Sequence, residues 1–203
     1  MVKHCIQAQP LLKTQLLVII AIGRYALADI TTATANVAIG AYDGSNQPAL
    51  RVNTGSQNVA VGSGCLSANT TGTNNTGVGH RALNANTIGV SNTGCGMQAL
   101  SRVTEGNNNS AFGLNSLTYV TTGSNNSAVG VNAGLSNTTG SDNCYLGHDA
   151  GYAASVHGNS TGSNNSFIGH NAVNTSSSTS NAVTLGDGNI SALRCNQTSI
   201  SSL

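Results

Sequence analysis

The chain has 203 residues, of which 6% are charged and 3% aromatic, and its formal net charge is +1. Two Phe and no Trp leave it without the large side chains of a conventional globular core, and the near balance of basic and acidic groups gives no footprint for DNA or RNA. Disorder is the default for so polar a chain, but disordered chains usually carry a charge excess, and here the apolar residues keep time with a row of glycines.

Residues 1–34 read as a non-repeat segment. The one strongly apolar run, Leu16 to Gly23, lies between Lys13 and Arg24. It is too short to cross a bilayer as a helix. Lys3 and Lys13 before it and Ala26-Leu27-Ala28 after it imitate a secretion signal, but Arg24 cuts the apolar region short. The segment is expected to stay on the protein as an anchor, burying Leu16, Leu17, Val18, Ile19 and Ile20 against another chain.

Residues 35–190 carry the repeat. Gly40, Gly62, Gly79, Gly96, Gly113, Gly130, Gly147, Gly169 and Gly186 are spaced by 17 residues in six intervals and by 22 in two. A period of this length signals a stacked coil architecture, in which each unit is buried by its neighbours. The units are too short for a helix pair and rich in turn residues. The expected fold is therefore all-β: a parallel β-solenoid of nine coils, roughly 40 Å long at ~4.8 Å per coil.

Three rows precede the glycines. Immediately before them stands an apolar residue, as in Ile39, Val61, Val78, Phe112, Val129, Leu146 and Ile168. Two before them stands a small one: Ala38, Ala60, Gly77, Gly94, Ala111 and Ala128. Strand residues alternate faces, so the expectation is that the apolar row fills the coil while the small row forms a tight interface with other subunits. Tyr145, Phe167 and Thr184 break the small row late, which would force such subunits to spread or interlock. Four before the glycines comes Asn in eight coils, from Asn36 to Asn165, positioned to form an amide ladder along the rod.

The two longer intervals contain insertions, within Tyr42 to Arg51 and within Gly151 to Asn159. Insertions in a solenoid emerge as loops, and loops on rigid scaffolds are common binding sites. Tyr42, Arg51, Tyr152 and His157 are candidates for contact with a surface glycan; spacers, or contacts to a neighbouring protein, are the competing reading.

Chemistry is sparse. Asp142 and Asp149 are the one plausible carboxylate pair for glycan hydrolysis, but Asp in a Gly/Asn corner is usually a turn former. There is no Walker loop, HExxH or Ser-His-Asp spacing. The five cysteines lack CxxC spacing; Cys65, Cys95 and Cys144 take repeat slots and read as small buried thiols. His80, His148 and His170 each follow a repeat glycine. Three copies of one such position would make an imidazole ring, but ordinary surface hydrogen bonding is the simpler reading. No catalytic residue, metal or cofactor is assigned.

The core Asn-x-Ala-Val/Ile-Gly, as in Asn36-Val37-Ala38-Ile39-Gly40, resembles the head repeats of trimeric autotransporter adhesins. The wording Gly123-Ser124-Asn125-Asn126-Ser127-Ala128-Val129-Gly130 is closer to fibre proteins of tailed phages and large algal viruses. Residues 191–203, with Ser191-Ala192-Leu193-Arg194-Cys195 and Thr198-Ser199-Ile200-Ser201-Ser202-Leu203, are similar to the stem before the self-cleaving chaperone of endosialidase-type tail fibres. The resemblance implies a homotrimer with a processed end at Leu203, held at its N-terminus by a baseplate, tail or other virion protein. It implies a structural virion protein, a tail fibre or spike contributing to host attachment, with host surface glycan as a possible partner and neither nucleic acid nor a membrane span. The alternative is a trimeric adhesin head on a bacterial surface; an enzyme acting on surface polysaccharide is a distant third.

Overall fold

The computed structural model describes residues 19–28, 33–40, 48–51, 53–152 and 158–191. Ten short strands follow in order: β1 (Ile19–Ile22), β2 (Asn36–Ile39), β3 (Val59–Val61), β4 (Thr76–Val78), β5 (Thr93–Cys95), β6 (Ser110–Phe112), β7 (Ser127–Val129), β8 (Cys144–Leu146), β9 (Ser166–Ile168) and β10 (Val183–Leu185). They form one parallel sheet in which each strand lies beside the next in sequence. Among the described residues there is no helix. The solenoid read from the glycine period is the fold.

Register is kept rung after rung. Val78 pairs with Cys95, Cys95 with Phe112, Phe112 with Val129 and Val129 with Leu146. The glycine after each strand explains why the period tolerates no drift. Gly130 has a φ of 138°, and a Cβ there would collide with the carbonyl oxygen of Gly147 in the next coil. Only glycine fits this stack.

The first strand lies inside the segment expected to be non-repetitive. Ile19 pairs with Asn36 and Ile22 with Ile39, so Ala21-Ile22-Gly23 is an earlier copy of Ala38-Ile39-Gly40. The stack therefore begins before the boundary drawn at residue 34. Ile19 and Ile20 belong to its sheet, whereas Leu16, Leu17 and Val18 lie outside the described residues.

The direction of the strand faces is the reverse of the expectation. Ala38, Ala60, Ala111 and Ala128 are 0% exposed, and Gly77 and Gly94 are buried with them. The small row is the interior of the coil and not a surface that meets another chain. The reason is space. Leu66, Leu83, Leu100 and Leu117 enter from the far corner and are themselves fully buried, so the strand opposite has room only for Ala or Gly. A Cβ on Gly94 would already stand 3.4 Å from Leu83 Cγ. Larger side chains on this face would overpack the coil.

These leucines adopt left-handed backbone conformations, with φ of 50–53°. Bulky residues rarely do so, and such conformations persist where the surroundings over-determine them. Here the next coil does that: the Leu83 N–H donates to the Ala99 carbonyl at 2.9 Å and the Leu117 N–H to Ala133 at 2.9 Å.

The late break in the small row is resolved inside the coil. Tyr145 and Phe167 stack at 5.2 Å with their planes 2° apart. Where earlier coils carry Leu, the coils around Tyr145 carry Gly134 and Gly151, and a Cβ on Gly134 would lie 2.7 Å from the Tyr145 ring. Aromatic plus glycine replaces alanine plus leucine. Burial pushes the Tyr145 phenol well above its ordinary pKa, partly offset by a 2.8 Å bond that its oxygen accepts from Asn159 Nδ2. No spreading of subunits is needed.

The expected Asn ladder is present and buried. Asn109 Oδ1 accepts from the Asn126 backbone N–H at 3.0 Å, while Asn109 Nδ2 donates to the Gly123 carbonyl at 2.9 Å. The pattern repeats up to Asn165. Burying an amide is tolerable only when its bonds are made. A second interior column was not anticipated: Asn86 donates to Asn69 and Asn69 to Asn53, each at 2.7 Å. Val103 and Val120 interrupt it before Asn137 and Asn159 resume, and the buried Asn86 Oδ1 is left without a partner.

Candidate interaction surface

Since the small row points inward, the residue before each glycine points outward. Phe112, Val129 and Leu146 are 45%, 49% and 47% exposed, and Val78, Ile168 and Leu185 are exposed beside them. The residue after each glycine adds the exposed Met97, Leu114 and Val131. Scattered exposed apolar side chains are ordinary, but a contiguous column is not. With ten rungs at ~4.8 Å and three-residue strands about 10 Å long, the outer sheet face covers on the order of 450 Å², shared between this apolar column and a parallel one that includes Thr76, Thr93, Ser110, Ser127 and Ser166. Patches up to about this size occur on ordinary monomers and are often functional.

The outward rows also correct the reading of the cysteines. Cys65 is buried, and desolvation pushes its thiol up to about 12. Cys95 and Cys144 are exposed free thiols on the outer sheet face, because their slots are the outward ones.

The described flanks of the two insertions stand at different places around the coil. The first lies between Gly40 and Ala49, directly after β2; the second lies between Gly151 and Asn159, one corner further on. Their flanks stand six coils apart, about 29 Å at ~4.8 Å per coil. Arg51 and Tyr152 are half-buried at the described flanks, while Tyr42 and His157 lie outside the described residues. Arg51 and Tyr152, the two described residues of the four, are therefore not brought together.

Asp142 and Asp149 occupy corners of two Asn columns, both with left-handed φ. Asp142 accepts from Asn125 Nδ2 at 3.1 Å and Asp149 from Asn132 Nδ2 at 2.9 Å. These are the bonds an Asn would make at the same corner, and they account for both residues as turn formers. His80, His148 and His170 are exposed in the column after the glycines. His148 and His170 stack, with ring centroids 5.4 Å apart.

No protein-family model, curated protein or solved structure matches the chain. No helix among the described residues is long and apolar enough to cross a membrane.

Proposed function

We propose that this protein is a structural component of a virion: a stiff fibre of three identical chains that projects from the particle and contributes to host attachment. The observation that carries the reading is the apolar column on the outside of the sheet. In each chain it runs in register with a fixed rise, so a second copy aligned in parallel meets it rung for rung. The interface assigned here is this column, with Phe112, Val129 and Leu146 at its centre, flanked by Met97, Leu114 and Val131. The number three and the viral setting rest on the resemblance of the repeats to trimeric adhesin heads and phage fibres. A rod whose every coil is bound by two neighbours resists local opening, and three copies of any binding loop add avidity. The N-terminal end is the side proposed to be held by a baseplate, tail or other virion protein, with host surface glycan as the partner at the loops.

Immunogold electron microscopy with antibodies to the chain tests this directly. The expected result is label on slender projections of the particle. Label confined to a bacterial cell surface would overturn the viral assignment in favour of an adhesin head.

A further inference from the structure

We propose that His148 and His170 form a two-imidazole site for a divalent first-row transition-metal ion on the outside of the coil. Its ligands come from one chain only, in the column that flanks the proposed interface.

The two residues follow Gly147 and Gly169, which occupy matching places in adjacent coils. Their rings face each other with centroids 5.4 Å apart and planes 24° from parallel. An ion bound at about 2.0–2.1 Å to two nitrogens needs them roughly 3 Å apart. In the stacked arrangement the in-plane lone pairs run side by side, so binding requires these exposed side chains to turn until one nitrogen of each ring points at the ion.

A second observation points to a ligand. His148 Nδ1 lies 3.1 Å from Asp149 Oδ2, and Asp149 is itself held by Asn132 Nδ2 at 2.9 Å. A carboxylate on one ring nitrogen fixes the proton there and leaves the lone pair of the other nitrogen free to bind an ion. Asn132, Asp149 and His148 thus form an outer support of the kind found behind metal-bound histidines. At the place matching His80 the next coil carries Met97 in place of a histidine.

The next rung places Asp187 within electrostatic reach of His170. Its carboxylate is taken by Asn189, through the backbone N–H at 2.9 Å and Nδ2 at 3.0 Å. It adds negative charge beside the pair without being a ligand. Among the described residues no three His, Cys, Asp or Glu are grouped to enclose an ion, so water completes the coordination. Two imidazoles with open positions favour Cu²⁺ over Ni²⁺ and Zn²⁺, and all of these over Mg²⁺.

The test uses the full chain, expressed without a polyhistidine tag and with its exposed thiols blocked by iodoacetamide, titrated with CuCl₂ and NiCl₂ by calorimetry, with MgCl₂ as the control. The expected result is one ion per chain, with Cu²⁺ tighter than Ni²⁺ and no Mg²⁺ signal. Electron paramagnetic resonance of the Cu²⁺ form should show two nitrogen ligands. His148→Gln and His170→Gln should each weaken binding at least tenfold and reduce the nitrogen count to one, whereas His80→Gln should change nothing. Asp149→Asn should weaken binding by about tenfold while keeping two nitrogens. Wild-type affinity in His170→Gln, equal loss in His80→Gln, or a single nitrogen in the wild type would overturn the site. Circular dichroism of each variant separates loss of the site from loss of the coil.

Discussion

Tyr145 and Gly151 are predicted to be energetically coupled, because the ring occupies the volume that a leucine takes in earlier coils. Tyr145→Ala empties a fully buried site. Aromatic-to-alanine changes of this kind cost about 3–5 kcal/mol, and the Asn159 amide loses one of its acceptors, adding about 1 kcal/mol. Gly151→Leu in the wild type drives a side chain into the Tyr145 ring, since even a Cβ at Gly151 collides with Cε1. Overpacking costs about 1–3 kcal/mol, and the left-handed backbone at φ 70° adds about 1–2 kcal/mol for a residue with a Cβ. In the double variant the leucine enters the space the ring vacated, taking the slot that Leu117 fills, with Ala111 in the strand of its own coil, two coils earlier. Reburying that side chain returns about 2–3 kcal/mol. The double variant should therefore be more stable than Tyr145→Ala alone, with a coupling of at least about 2 kcal/mol. Urea unfolding followed by circular dichroism measures it. Additive losses would show that the aromatic stack and the glycine corner do not exchange volume, and would refute the packing argument.

Three further outcomes follow from the interior and the outer face. Val103→Asn should destabilise by about 1–3 kcal/mol, because it satisfies Asn86 Oδ1 but leaves its own oxygen facing Val120; adding Val120→Asn completes the column to Asn137, and the pair should cost less than the sum of the single changes in thermal unfolding. Mass-spectrometric mapping of maleimide labelling should find Cys95 and Cys144 reactive in a dissociated chain and Cys65 unlabelled until the coil unfolds, since its thiol is held neutral. The same thiol sets a pH dependence: its folded pKa is raised from 9.0 to about 12, so its contribution to stability is complete below pH 9.0 and falls as pH rises through that window; Cys65→Ala should flatten the alkaline limb of the unfolding curve.

The glycine period, with the Asn row in phase with it, was enough to read parallel coils and an amide ladder, because each depends on spacing; the burial of that ladder was not part of the reading. Gly23 escaped the count because it closes an apolar run that looks like an anchor, although its distance to Gly40 matches the period. The inward face could not be read from hydrophobicity. Val129 and Ala128 are both apolar, and the general rule buries the larger one. What decides is the width of the coil, which Leu117 and its equivalents already fill from the opposite corner. The glycines at 134 and 151, standing where other coils have Leu, were the visible sign that something large entered nearby. The histidine pair was legible as residues in one row, but their stacking and the Asp149 support emerge only when adjacent coils are superposed.

Sedimentation equilibrium of the wild type beside Phe112→Asp bears most directly on the claim that copies of the chain meet through the outer sheet face. The wild type should sediment near 61 kDa, three times the 20.3 kDa of one chain, and the variant near 20.3 kDa with its β circular dichroism intact. A wild type of 20.3 kDa, or a Phe112→Asp chain that still assembles, would contradict the account.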